Sequence, residues 1–221
     1  MKTIYMVGDC HLSRAIEHWN PDKEKANFVV WSKSGVRMYG FDAKELYEIE
    51  KLSTGVETPR EVDHKPKPFN IIKDDGLLVF WVGYVDARTF LPRYQNAEET
   101  VIHFIEDIKK NFPNSEVAFI EPLPQFTEML LKYEGISPYY TVEQRIDQNR
   151  LVISNLHKYA KEAGYKVVIT QKEILEAIGV PELTPAMTHS DAPHPVDGLR
   201  PEYMSKVWKL FSDKLTEIVV D

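Results

Sequence analysis

The sequence predicts an α/β fold: a three-layer α/β/α sandwich of the flavodoxin-like kind, built on a mostly parallel five-stranded sheet. Three observations predict it. Five short apolar runs recur along the 221 residues. Each run is continuous rather than alternating, which suits strands buried on both faces. Amphipathic stretches with helical spacing fall between the later runs, the alternation that builds a parallel sheet covered by helices.

The strands are expected at residues 3–7, 28–32, 77–83, 117–120 and 166–170. A helix is expected over residues 97–111, where Val101, Phe104, Ile105 and Ile108 share one face. A second spans 142–164, with Ile146, Leu151, Val152, Leu156, Tyr159 and Ala160 as its apolar positions and Gly164 as its C-cap. A third covers 202–219, with Val207, Leu210, Phe211 and Leu215 inward. Two segments break the alternation. Residues 41–75 are charged and carry prolines, with a short helix expected at 43–52. Residues 122–141 mix Pro122, Pro124 and Pro138 with Phe126, Tyr133, Tyr139 and Tyr140. Loops this long act as lids, binding loops or contacts with other chains. The chain is therefore read as one domain, 1–221, with insertions at about 41–75 and 122–141. It carries no internal repeat and no low-complexity tract.

Composition excludes several classes. A single cysteine, Cys10, rules out an internal disulfide framework and a Cys-rich structural zinc site. Lys and Arg number 27 against 34 Asp and Glu, a net charge of −7. That balance argues against nucleic acid or an anionic membrane as the main partner, because both need a cationic face. The longest apolar run, 77–82, is strand-sized and far below the ~18 residues of a membrane span. The first residues lack the long apolar region and cleavage site of a signal peptide, so a cytoplasmic location is expected.

Chemistry can sit at two places. The first strand runs into Gly8-Asp9-Cys10-His11-Leu12-Ser13. A nucleophile just after strand one stands at the carboxyl edge of the sheet, where open α/β folds bind ligands. Gly8 would permit a tight turn, and Asp9 suits an N-cap. A helix opening at Cys10 would favour its thiolate. The alternative for Cys10 is a small buried apolar residue. His11 is adjacent to Cys10 and points elsewhere, which makes it a poor base. Near the other end, Thr188-His189-Ser190-Asp191-Ala192-Pro193-His194-Pro195-Val196-Asp197-Gly198 forms a proline-bearing loop. Asp191 and His194 are three apart, a spacing that lets a carboxylate orient an imidazole toward a nucleophile. Two other readings stay open at this point: an exposed polar loop, or a metal cluster of His189, Asp191, His194 and Asp197.

Taken together, the two ends resemble the SGNH hydrolases, also called the GDSL esterase and lipase family. Gly8-Asp9-Cys10-His11 is similar to that family's Gly-Asp-Ser block, with Cys in place of Ser. Ser34-Gly35 follows the second strand, where the family has its oxyanion-hole glycine. Gly83-Tyr84-Val85-Asp86 follows the third strand, where the family has Gly-x-Asn-Asp. Asp191-Ala192-Pro193-His194-Pro195 matches the family's Asp-x-x-His-Pro. Four short blocks fall in order over essentially the whole chain.

The resemblance implies an ester hydrolase, an esterase or a deacetylase of an acylated carbohydrate. Its triad would be Cys10, His194 and Asp191, its oxyanion donors the backbone N–H groups of Cys10 and Gly35, and it would need no metal or organic cofactor. Of the two carboxylates three residues from His194, the pattern favours Asp191 over Asp197. An acyltransferase with the same triad is a second reading, and a binding or structural protein on the same fold, with catalysis lost, a third. Val85 stands where the family has a donating Asn, and loss of one such donor costs ~10²–10³ in rate. Gly83-Tyr84-Val85-Asp86-Ala87-Arg88 looks like a family variant, Gly-x-Ile-Asp-x-Arg. Arg88 or Arg37 would then supply positive charge, the alternative being ordinary ion pairing such as Arg88 with Asp86. Asp9, Gly83 and Asp86 count as structural support of the site.

Overall fold

In a computed structural model of the chain, residues 2–18, 26–32, 36–46, 76–87, 91, 96–125, 141–188 and 199–220 are described. Five strands, β1 (Thr3–Gly8), β2 (Asn27–Ser32), β3 (Leu77–Trp81), β4 (Glu116–Ile120) and β5 (Lys166–Ile169), form one sheet in the order β2-β1-β3-β4-β5. Every pairing is parallel. This is the flavodoxin-like order, whose topological switch lies between β1 and β3. The expected fold class and all five strands are present.

Among the described residues five helices accompany the strands: α1 (Cys10–Ala15), α2 (Ala97–Asn111), α3 (Val142–Glu162), α4 (Gln171–Ile178) and α5 (Pro201–Val220). Alternate strand residues face opposite layers. Ile4, Met6, Val79, Trp81 and Ile120 pack with Leu12, Ile174, Val207 and Phe211 of α1, α4 and α5. Tyr5, Val7, Phe80 and Phe119 pack with Val101, Phe104, Val152 and Leu156 of α2 and α3. On this second face Phe80 meets Phe104 edge-on at 5.5 Å and stacks on Phe119 at 5.8 Å. Truncating Phe80 to Ala would cost about 3–5 kcal/mol by the usual cavity penalty.

The helix ends follow local chemistry. Asn96 accepts from the Glu98 N–H and caps α2. Thr141 and Gln144 form a capping box on α3, which ends just before Gly164 at φ 82°. The sequence reading missed α4. Its signals are a second capping box, Thr170 with Glu173, and a left-handed Gly179 after its last turn. That box also explains why β5 stops at Ile169 rather than at 170: Thr170 is already the N-cap. Likewise β3 stops at Trp81, because Gly83 at φ 111° turns the chain out of the ladder. The short helix expected at 43–52 is a 3₁₀ turn over Ala43–Leu46, and positions 47–52 lie outside the described residues. Most of the two expected insertions lies outside them too. No helix among the described residues is long and apolar enough to cross a membrane.

Candidate active site

Three strands end at one level. Gly8, the last residue of β1, pairs with Ser32 of β2 on one side and with Trp81 of β3 on the other. The chain therefore leaves the sheet after β1, β2 and β3 from adjacent positions on its carboxyl edge. The switch point between β1 and β3 lies among them.

Gly8 is not a turn glycine, as the sequence had suggested: its φ is not positive. It is a close-approach glycine. A Cβ there would lie 2.8 Å from Leu12 Cβ and 3.0 Å from the Trp81 carbonyl oxygen. The absent side chain lets the first turn of α1 fold back tightly over the strand ends. Asp9 then caps the helix as expected. Its Oδ1 accepts from the His11 backbone N–H at 2.9 Å. Cys10 is the first residue of α1.

His11 points away from the expected chemistry. Its Nδ1 donates to Asp9 Oδ1 at 3.0 Å, and both side chains are only 3% exposed. A carboxylate can only accept, so Nδ1 carries the proton. The ring sits edge-on to Tyr84 with centroids 4.6 Å apart, and tilted against Trp81 at 6.2 Å. Asp9, His11, Trp81, Val82, Tyr84, Pro122 and Leu123 line a crevice with no room for a water. This buried Asp–His pair went unread in the sequence, although Asp9-x-His11 before a helix is its signal.

Residues 83–87 make one helical turn, with the Ala87 N–H donating to the Gly83 carbonyl at 3.0 Å. Gly83 combines positive φ with crowding. A Cβ there would meet Met38 Cε at 3.1 Å, Val152 Cγ1 at 3.3 Å and Pro122 Cγ at 3.5 Å. The turn is thus wedged between the segment after β2, the segment after β4 and helix α3. Val85 packs into the apolar core and carries no donor.

Asp86 is sealed at this edge, with no exposed surface. Its Oδ2 accepts from the Met38 N–H at 2.8 Å and its Oδ1 from the Tyr39 N–H at 3.0 Å. Burial pushes its pKa from 3.8 up to about 6, while the two backbone N–H bonds and the nearby Arg37 pull it down. Arg37 is half-buried and lies 5.9 Å from the centre of the Tyr39 ring. Its charge serves Asp86, and the expected pairing of Arg88 with Asp86 lies outside the described residues.

A second buried carboxylate, unread in the sequence, closes the edge beyond β4. Glu121 Oε1 accepts from His157 Nε2 at 2.6 Å, and Oε2 accepts from the Gln171 N–H at 2.6 Å. Its carbonyl oxygen accepts from Trp81 Nε1 at 3.1 Å. Asn149 and Gln171 extend the network to the Leu123 and Pro122 carbonyls. A Glu directly after a buried strand was the available signal.

Gly35, Asp191 and His194, like His189 and Asp197, lie outside the described residues. The described residues on either side of the latter four are held together. Thr188 bridges to Leu199, the Arg200 N–H donates to the Met187 carbonyl at 2.9 Å, and Arg200 Nε donates to the Thr188 carbonyl at 3.1 Å. Among the described residues no three His, Cys, Asp or Glu side chains converge as a metal-holding group.

Solved structures that superpose on this chain include GDSL-like proteins. A GDSL-like lipase from Bacteroides thetaiotaomicron superposes with a TM-score of 0.59 at 13% identity, over 99% of this chain and 88% of its own. The chain has the fold of the GDSL-like hydrolases. A member of the lipolytic G-D-S-L family from Veillonella parvula aligns with a TM-score of 0.54 at 14% identity, over 96% of this chain and 97% of its own. A carbohydrate acetylesterase family member from Sinorhizobium meliloti aligns with a TM-score of 0.53 at 13% identity, over the full length of both chains. No family model and no curated protein matches the sequence. At these identities the likeness is one of fold.

Proposed function

We propose that the protein is an ester hydrolase that works through an acyl-enzyme on Cys10. The observation that carries this reading is the common level of three strand ends, Gly8, Ser32 and Trp81, in a sheet of the GDSL-hydrolase order. In sequence, Gly8-Asp9-Cys10, Ser34-Gly35 and Gly83–Asp86 follow those three ends, as the family's first three blocks would. The pairing of Thr188 with Leu199, just before α5, supports the fourth block, Asp191 with His194.

In this reading Asp191 orients His194, and His194 takes the proton from Cys10 Sγ. The thiolate forms a bond to the acyl carbon, and the carbonyl electron pair moves onto oxygen. The backbone N–H groups of Cys10 and Gly35 donate to that oxyanion. Collapse breaks the ester C–O bond, and His194 returns the proton to the departing alcohol oxygen. Water then attacks the thioester with His194 as base, and Sγ leaves with a proton, giving carboxylic acid, alcohol and free enzyme. Val85 removes a side-chain donor, so the oxyanion rests on backbone N–H groups. A short acyl ester such as an acetylated carbohydrate is the favoured substrate, as the acetylesterase neighbour suggests.

Purified protein should hydrolyse p-nitrophenyl acetate, and Cys10→Ala and His194→Ala should not. No turnover by wild type or by Cys10→Ser on acyl esters and thioesters would overturn the reading. An acyltransferase uses the same residues. It would be favoured if an alcohol acceptor outcompeted water.

A further inference from the structure

We propose that Asp86 is a positioning residue. Its buried carboxylate grips the backbone of residues 38 and 39 and so anchors the chain three residues beyond Gly35. The idea rests on the ester-hydrolase reading for the role of Gly35, but the grip itself does not.

The geometry is a two-pronged hold. One carboxylate, with no exposed surface, offers one oxygen to the Met38 N–H at 2.8 Å and the other to the Tyr39 N–H at 3.0 Å. These partners lie 48 and 47 residues away in sequence, so the bond pair joins two loops that no strand pairing joins. A carboxylate is the side chain that meets this need, because both oxygens accept. An amide has one oxygen and an NH₂ that can only donate. The chain after β2 is therefore held at two described points. Ser32 holds one through its pairing with Gly8, and Asp86 holds the other through Met38. Gly35 is three residues from each point.

The anchor under Asp86 is equally firm. Its turn is closed by the Ala87 to Gly83 hydrogen bond, and Gln125 Nε2 donates to the Tyr84 carbonyl at 3.4 Å. Tyr84 rests against His11, which is bonded to Asp9, the cap of the helix that opens at Cys10. A continuous set of contacts thus runs from the neighbours of Cys10 through Tyr84 and Asp86 to Met38 and Tyr39.

The grip depends on charge. With a pKa pushed up to about 6, Asp86 is ionised at neutral pH and both oxygens accept. Below that, one oxygen carries a proton and faces an N–H as a hydroxyl, a poorer acceptor. Arg37 is the charged group among the described residues that acts on it.

Amide hydrogen exchange on the full-length protein tests the grip, with Val79 and Phe80 amides as internal core references. Met38 and Tyr39 should be protected at about pH 7.5. Their protection, corrected for intrinsic exchange, should fall about tenfold near pH 5 in wild type, one pH unit below the midpoint. Asp86→Asn should show the loss at both pH values. In p-nitrophenyl acetate assays, Asp86→Asn should lower kcat by ~10²-fold, as for a displaced oxyanion donor, with KM nearly unchanged. Protection that stays high near pH 5 in wild type overturns the grip, even if the variant fails to fold. A variant that changes KM but not kcat overturns the positioning role. If wild type has no turnover at all, the hydrolase reading fails and takes the catalytic role with it. The exchange data then still decide the grip alone.

Discussion

At the β1–β3 end of the carboxyl edge, the sealed carboxylate of Asp86 accepts two main-chain N–H groups from a distant loop. At the β4–β5 end, the carboxylate of Glu121 accepts an imidazole from α3 and the first N–H of α4. Both bury a carboxylate, yet they hold different things. Glu121 ties regular elements together, with His157 on the rim at 47% exposure. Asp86 holds irregular backbone that has no ladder of its own. The lesson is that the same chemical group fastens architecture at one end of the edge and shapes a candidate site at the other.

The contrast is sharpest where chemistry is concentrated. Cys10→Ala should abolish ester turnover, by ~10³-fold or more, with little change in Tm. Parallel kcat and thermal-melt measurements check it. A large effect on melting with retained turnover would blur the two ends.

The next effect is the pH dependence of stability. Asp86 has a folded pKa of about 6 against 3.8 for an ordinary carboxylate. Between those values the folded state holds more protons than the unfolded state, so stability falls as pH rises. The contribution is fully present below about pH 4 and lost above about pH 6, roughly 3 kcal/mol at 1.36 kcal/mol per pH unit. Asp86→Asn should flatten that slope in denaturant titrations across the window. A buried charge that costs stability just where it grips best fits a functional role better than a purely structural one.

Gly8→Ala should cost about 1–3 kcal/mol from overpacking, because its Cβ would press on Leu12 and the Trp81 carbonyl. It should also lower kcat, since a shift of about 1 Å in a catalytic group costs about 10²-fold. Denaturant melts and ester kinetics on the same preparation check both. The smallest effect should come from the far end. Glu121→Gln should lose about 1–2 kcal/mol of stability with kcat and KM unchanged. Altered kinetics there would show that the two ends are coupled.

How much was legible in the sequence follows the same division. The continuous apolar runs announced all five strands, and the long amphipathic periods announced α2, α3 and α5, with α2 at its observed bounds. Helix α4 was invisible to periodicity because it has eight residues and only Ile174 and Ile178 buried. Its capping box was the readable signal. Among site residues, Asp9 was read correctly as a cap. Asp86 was marked, but its partners are main-chain amides, which leave no trace in side-chain patterns. Gly8 was marked for the wrong reason: close approach of α1 to β3 is a tertiary fact, whereas a turn is a local one. Glu121 was missed because its partners lie 36 and 50 residues onward.

The central claim is that Cys10 carries the acyl group. Intact-mass spectrometry of the protein quenched during turnover of p-nitrophenyl acetate tests it most directly. A single acetyl adduct, mapped by peptide digestion to Cys10 and absent from Cys10→Ala, is the predicted result. Undiminished turnover by Cys10→Ala, or an adduct on another residue, would contradict it.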